Sequence, residues 1–245
     1  MKRIFVAGAS SAIAQHTLRL FAKNGDRFFL VGRNREKLMR ISEDLMVRGA
    51  GGIDLYQADI NDFANHNAIL EHAIEKMAGI DLILVAHGVL GEQKDAEKNF
   101  LVAEQIITTN FLSVISLLTS AANYLESQKK GCIVVISSVA GDRGRGSNYI
   151  YGASKGGLNL FLQGLRNRLY KAGVRIVTIK PGFVDTPMTS KMSKNILFSK
   201  PEDIAIGIIK SLKKGKDEIY VPFYWKYIMF IIRIIPERYF KKLNL

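Results

Sequence analysis

The sequence predicts a doubly wound α/β domain, a mostly parallel seven-stranded sheet covered by helices on both faces. Three observations carry that prediction. Seven short apolar runs recur along the 245 residues, helical patterns fall between them, and the first run ends in a small-residue turn that opens the first helix. Most runs lack strict period-2 alternation, as strands buried on both faces do. Strands separated by helices imply right-handed crossovers, which place helices on both sides of one sheet.

In chain order the strands are "RIFVAG" (3–8), "RFFLVG" (27–32), "IDLYQA" (53–58), "DLILVA" (81–86), "CIVVIS" (132–137), "RIVTIK" (175–180) and "EIYVP" (218–222). Helical patterns occupy 12–23, 35–48, 62–77, 101–126, 150–171 and 201–213. The last opens with "SKPE", where Ser199 and Glu202 have capping-box spacing and Pro201 suits a first turn. Residues 1–222 read as one Rossmann-type domain, and 223–245 as a hydrophobic, basic extension.

Composition narrows the classes of function. With 48% hydrophobic and 23% charged residues, the chain has the makings of a folded core. Cys132 is the single cysteine, so no intrachain disulfide can form, which favours a reducing, cytosolic setting. The four histidines show no metal-ligand spacing, and no metal site is expected. The apolar run in "MKRIFVAGAS" is too short for a signal peptide. A net charge of +13 suits nucleic acid, an acidic membrane surface or anionic small molecules. No aromatic–basic platform accompanies it, so nucleic acid is not expected.

Ligands of such sheets bind at the carboxyl ends of the strands, beside the first β–α turn. That turn is "GASSAIA", Gly8 to Ala14, with Gly8, Ser10, Ser11, Ala12 and Ile13 placed to meet a pyrophosphate. Ala12 and Ala14 stand where glycines of the dinucleotide fingerprint belong, and a plain strand–helix turn is the alternative. After the second strand, "VGRNREK" puts Arg33 and Asn34 where an NAD site carries an acidic residue. A guanidinium there can hold a 2′-phosphate, so NADP(H) is preferred to NAD(H); the alternative is the start of a solvated helix. Asp59, followed by Ile60, either accepts a bond from adenine or caps the next turn.

"YIYGASK" holds the only tyrosine with a lysine four residues on, Tyr151 and Lys155. A helix stacks that spacing on one face, where a cation would favour phenolate and lower the tyrosine pKa. The alternative is an accidental surface pair. Ser138 ends the fifth strand thirteen residues earlier, and Asn110 sits in a long apolar helical pattern where a buried amide needs partners. Each has a plain reading too, as a turn serine and a helix-bending core amide.

From Arg3 to about Val221 the chain resembles the short-chain dehydrogenase/reductase family in size, strand order and motif sequence. That resemblance implies Tyr151 as general acid/base, with Lys155 lowering its pKa and bonding the nicotinamide ribose. It implies Ser138 polarising a carbonyl and Asn110 holding a water in a proton relay. Pro181, Gly182, Val184 and Thr186 of "KPGFVDTPM" would border the nicotinamide carboxamide. The family's Asn-Asn-Ala-Gly segment is here "VAHG", with Ala86 and Gly88 beside the cofactor and His87 a departure. The family is often oligomeric, which implies a homodimer or homotetramer. The "AGASSAIA" turn, "HGVLG" and the tail resemble, more weakly, reductases of polyprenyl-phosphate-linked keto-pentoses.

Arg143 and Arg145 in "GDRGRGSN" offer a grip for a substrate phosphate. Residues 188–199 resemble the family's substrate lid, with Met188 and Met192 beside Lys191 and Lys194. In 223–245, five Lys/Arg meet one acid, Glu237, and residues 227–232 are all apolar. The stretch before Pro236 is too short to span a bilayer but suits a helix lying among headgroups. Packing on another subunit is the alternative. The chain is therefore expected to be a cytoplasmic carbonyl reductase, peripheral to the inner face of the membrane, acting on a hydrophobic or lipid-linked substrate. A soluble ketone or 3-oxoacyl thioester substrate, and a non-catalytic nucleotide-binding regulator, are the alternatives.

Overall fold

A computed structural model describes residues 1–243. Its strands are β1 (Arg3–Ala7), β2 (Arg27–Gly32), β3 (Gly52–Gln57), β4 (Leu82–Val85), β5 (Cys132–Ile136), β6 (Arg175–Pro181) and β7 (Glu218–Val221). They form one sheet in the order β3-β2-β1-β4-β5-β6-β7, and every pairing is parallel. The helices are α1 (Ala12–Ala22), α2 (Arg35–Val47), α3 (His66–Met77), α4 (Gln93–Lys98) and α5 (Phe100–Ile107). After them come α6 (Ser113–Gln128), α7 (Tyr149–Tyr170), α8 (Pro201–Lys213), α9 (Trp225–Ile234) and α10 (Glu237–Phe240).

Both sheet faces are covered, which explains the missing alternation in the strands. Phe5 and Ala7 point into a layer with Ile69 and Leu70 of α3, Leu117 of α6 and Leu158 of α7. Ile4 and Val6 point the other way, onto Leu18 of α1, Leu38 of α2 and Ile204 of α8. Burying such a side chain fully is worth about 1.5–3 kcal/mol, so a register slip in the central strands would be prohibitive.

Helix boundaries bring three corrections. The 101–126 pattern is two helices, α5 and α6, joined by a π-helical turn at Thr108–Leu112. The run Phe100–Gln128 is long and apolar enough to cross a membrane by composition alone, but Val114, Leu117, Leu118 and Ala121 spend that character on the core. The second correction is α4, a short helix that periodicity did not reveal. The third concerns α8: its N-cap is Lys200, whose backbone N–H reaches Asp203 Oδ2 at 3.4 Å, so the Ser199–Glu202 capping box does not form.

The strand order reverses direction between β1 and β4, and their carboxyl ends frame a crevice, the expected ligand position. Gly8 lies there at φ +82°, and a Cβ on it would come within 2.6 Å of the His87 backbone nitrogen. Only glycine permits both the turn and this approach.

Candidate active site

The two walls of the site meet through missing side chains. A Cβ on Gly88 would lie 3.0 Å from Asn110 Oδ1 and 3.6 Å from Lys155 Nζ. On α7, Gly152 and Gly156 are four residues apart on one face, and that face presses on the short turn Val139–Gly141 that follows Ser138. A Cβ on Gly152 would meet the Ala140 carbonyl oxygen at 3.0 Å, and one on Gly156 would meet that of Gly141 at 3.2 Å. These glycines bring Tyr151 alongside Ser138. The sequence held the signal, two glycines at helical spacing around the Tyr–Lys pair, but their packing role was not read from it.

Asn110 is fully buried in the π-helical turn. Its Oδ1 accepts from the Val89 N–H at 2.8 Å, and its Nδ2 donates to the Val89 carbonyl at 2.8 Å and to Ser154 Oγ at 3.1 Å. Ser154 Oγ in turn donates to the Tyr151 carbonyl at 2.7 Å. Both amide hydrogens are thus committed to protein. The Asn110 side chain is a clamp joining the loop after β4 to the Tyr151 turn. π-Helical turns concentrate at functional sites, and here the extra residue aims this amide.

Ser138 Oγ accepts from the Ala140 N–H at 3.1 Å, which leaves its own hydrogen to donate. Lys155 is buried, donates to the Ile136 carbonyl at 3.2 Å, and has its Nζ 5.9 Å from the Tyr151 ring centre. Desolvation lowers its pKa to about 8. The phenol behaves differently from expectation. Burial raises the Tyr151 pKa, and the groups that pull it back are the Ser138 hydroxyl and the Arg145 guanidinium, not Lys155. Desolvation of the phenolate outweighs these partners.

Three charged residues of the loop that follows β5, Asp142, Arg143 and Arg145, face three different surroundings. Asp142 pairs with Lys180 Nζ at 2.8 Å and accepts from the Tyr220 hydroxyl at 2.6 Å, tying the loop to β6 and β7. Arg143 is not a substrate grip. Its Nη1 donates to the carbonyls of Ile232, Arg233 and Ile235 at 2.7, 3.1 and 2.6 Å, and its Nη2 to Glu237 at 2.9 Å. It also stacks 3.7 Å above the Phe240 ring. A cation on the orphan carbonyls of a helix end satisfies both hydrogen bonding and the dipole, which is what holds α9 in place. Arg145 has no such commitment among the described residues: its Nε is buried without a partner there, next to the phenol whose pKa its charge pulls down. Gln93 Nε2 and Asn148 Oδ1 are likewise buried and unpartnered.

At the nucleotide edge, α1 starts at Ser11 with no side-chain cap and no acid in its first turn. The first-turn amides beyond Ser11 are therefore free to receive an anion. The Ile13 side chain is in the core, so only its backbone can serve a ligand, while Ser10 is exposed. Arg33 is exposed and its guanidinium makes no hydrogen bond among the described residues; Asn34 accepts from the Lys37 N–H at 2.8 Å and caps α2. Asp59 accepts from the Asn61 N–H at 3.0 Å, the turn-capping alternative, and Ile60 lies in the core. Ala86 holds β4 to Ala7 through a 2.9 Å backbone bond.

His87 Nε2 is 2.8 Å from Ser113 Oγ, which donates to the Thr109 carbonyl at 2.7 Å. That network assigns the hydrogen to Nε2 and leaves Nδ1 as a buried acceptor without a partner. Burial and the Lys155 charge keep the ring neutral, with its pKa pushed down to about 3. Orphan amides at α1 and a buried ammonium with one partner fit a nicotinamide dinucleotide, which is rich in phosphate oxygens and ribose hydroxyls.

Pro181, the last residue of β6, is buried, and Gly182 lies directly under the Trp225 indole, where a Cβ would overlap the ring. Val184 turns its side chain into the core, and Thr186 caps the turn Pro187–Thr189. Met188 and Met192 are exposed on the segment leading to α8. Lys194 pairs with Asp185 at 2.8 Å and Lys191 with Glu92 at 3.4 Å. Exposed pairs of this kind are worth about 0–1 kcal/mol, so they tether the segment only loosely.

The family model for short chain dehydrogenases matches residues 2–197. The chain belongs to the short-chain dehydrogenase family. It is 32% identical over 234 residues to an uncharacterized oxidoreductase of Mycobacterium tuberculosis, covering 96% of this chain and 94% of that one. It is 33% identical over 245 residues to one of Streptomyces coelicolor, covering 99% and 96%. Among solved structures, an NAD+-bound xylitol dehydrogenase superposes with a TM-score of 0.80 at 18% identity, over 90% of this chain and 97% of that one. A putative short-chain alcohol dehydrogenase of Sinorhizobium meliloti gives 0.76 at 22% identity, over 83% and 86%. Short-chain dehydrogenase membership makes this protein a nicotinamide-dependent oxidoreductase on the expected Rossmann-type fold.

Proposed function

We propose that this short-chain dehydrogenase is an NADPH-dependent carbonyl reductase whose substrate is hydrophobic or lipid-linked. The observation that carries the chemistry is the convergence of Asn110 and Lys155 on Gly88, with the glycine face of α7 holding Tyr151 against the Ser138 turn. The cofactor supplies a hydride when bound. Tyr151 donates its phenolic proton to the carbonyl oxygen as negative charge develops there, and Ser138 donates a hydrogen bond to the same oxygen. Lys155 would hold the ribose, and Ser138 and Arg145 stabilise the phenolate left behind. Asn110 acts by position, fixing the Tyr151 turn through Ser154.

The amides of Ala12 and Ile13, with the Ser10 and Ser11 hydroxyls, would receive the pyrophosphate, Arg33 a 2′-phosphate, and Asp59 with Ile60 the adenine. Gly8, Ala86 and Gly88 would allow close approach of the ribose, and Pro181, Gly182, Val184 and Thr186 the carboxamide. Arg145, with its unpartnered buried Nε, supports an anionic or strongly polar group near the reacting carbon. Exposed Met188, Met192 and Ile196, interleaved with Lys191 and Lys194, suit an amphiphile.

NADPH oxidation against small ketones, 3-oxoacyl thioesters and polyprenyl-phosphate keto-sugars would identify the substrate class. With the best substrate, Tyr151→Phe is expected to lower kcat about thousandfold, within the usual range for general acid catalysis, while NADPH still binds. A Phe variant with near-wild-type turnover would overturn the assignment.

A further inference from the structure

The second face of α9 has no partner among the described residues. Trp225 and Met229 are buried, and with the partly buried Ile228 and Ile232 they dock the helix on Val139, Phe183 and Leu197. The remaining apolar residues, Tyr227, Phe230, Ile231 and Ile234, are 62%, 63%, 59% and 61% exposed. At about 100° per residue these four fall in one stripe roughly 100° wide, opposite the docked face. Phe223, 74% exposed, extends the stripe at its start. A helix apolar on both sides belongs in an apolar environment on both sides, and this one has protein on only one.

Charge indicates what covers the other side. Lys226 and Arg233 share one flank of the exposed stripe, and Arg238, Lys241 and Lys242 follow in the next turns, all exposed. The one acid nearby, Glu237, is engaged by Arg143. Two copies of this chain meeting face to face here would set these cations against one another. An anionic lipid surface meets both demands, since the aromatic and aliphatic stripe can enter the acyl boundary while the cations reach phosphates.

We infer that α9 seats this protein on an anionic bilayer surface through Phe223, Tyr227, Phe230, Ile231 and Ile234, with Lys226, Arg233, Arg238, Lys241 and Lys242 at the headgroups. The docked face links that surface to the catalytic machinery. Trp225 packs on Phe183 at 5.5 Å, Phe183 stacks on Phe198 of the lid segment at 5.3 Å, and Arg143 ties the helix end to the loop beside Tyr151. An amphiphilic substrate would then reach the site from the lipid side. The surface itself does not depend on the proposed hydride chemistry.

Removing the whole tail would strip Trp225 and Met229 from the core, so surface variants of the full chain are the clean test. Flotation is measured with vesicles of phosphatidylcholine and phosphatidylglycerol, and with pure phosphatidylcholine, without any substrate. Wild type is expected to float with the anionic vesicles and about tenfold less with the neutral ones. Phe230→Glu/Ile234→Glu and, separately, Lys241→Gln/Lys242→Gln are each expected to lose about tenfold or more in vesicle affinity. Emission from Trp225, the only tryptophan, checks that the docked face is intact in each variant. Wild type that stays with neither vesicle, or variants that float as well as wild type, would overturn the inference. So would a Phe230→Glu/Ile234→Glu protein that simply falls from dimer to monomer in sedimentation, since a second copy would then be the occupant.

Discussion

Gly141 and Gly182 stand at two neighbouring parts of the molecule and are needed for opposite reasons. A Cβ on Gly141 would meet main-chain atoms of α7, the Lys155 carbonyl carbon at 2.6 Å and the Gly156 nitrogen at 2.7 Å. The nearest atoms a Cβ on Gly182 would meet all belong to the Trp225 side chain. The catalytic wall is therefore built backbone to backbone, and the C-terminal helices are attached side chain to surface. A backbone contact cannot give way without moving a helix, whereas a ring on a tail can swing out. Fixed geometry at the reacting groups and a C-terminal module fastened through side chains beside them are what this difference provides.

Gly141→Ala probes the rigid side and carries the largest expected effect. Separating α7 from the Ser138 turn should destabilise the protein by about 3 kcal/mol or more and displace Tyr151 from Ser138. Urea unfolding would read the first and kcat the second. A variant with wild-type stability and turnover would show the wall to be pliable.

Lys155 tests the same wall electrostatically. The folded state binds this proton less tightly than the unfolded chain, because burial lowers the pKa from 10.5 to about 8. Below about pH 8 the penalty is fully present; between there and 10.5 the unfolded chain holds more protons, so stability rises with pH. The cofactor-free wild type is expected to gain on the order of 3 kcal/mol relative to Lys155→Met across that window. Parallel pH profiles of the two proteins would mean the ammonium is solvated.

On the tail side, Gly182→Ala should cost about 1–3 kcal/mol, the usual range for overpacking relieved by one side chain. Its signature is a red-shifted Trp225 emission and faster proteolysis after Pro222. Unshifted emission would contradict the packing of the indole on this glycine.

The parts legible in the sequence are those written locally. Parallel strands announce themselves as apolar runs, the Tyr151–Lys155 pair shows as helical spacing, and Ser138 and Asn110 join it through the family pattern. Arg143 was misread as a phosphate grip because its partners lie some ninety residues away, at 232–237, and no periodicity encodes a contact between a loop and a later helix end. Asn110 was placed correctly but its partner, the Val89 backbone, leaves no trace in residue identity. The tail's basic, apolar character was visible at once, while the division of α9 into a docked and an open stripe needed the fold to supply the docking surface.

The nucleotide edge is a third, solvated region, and there the comparison predicts the smallest change. Arg33 is exposed and its guanidinium is unpartnered among the described residues, and its backbone carbonyl accepts from Gln57 Nε2 at 3.1 Å, which fixes the chain but leaves the side chain in solvent. A guanidinium screened by water can favour a 2′-phosphate only modestly. Arg33→Asp should therefore shift the ratio of kcat/KM for NADPH over NADH about tenfold towards NADH, roughly 1.4 kcal/mol, with the difference shrinking as salt is added. Because Arg33 touches neither the wall nor the tail, unfolding midpoints should stay within about 0.5 kcal/mol of wild type. A ratio unmoved by the substitution would place recognition of the ribose elsewhere and remove the reason for preferring the phosphorylated cofactor.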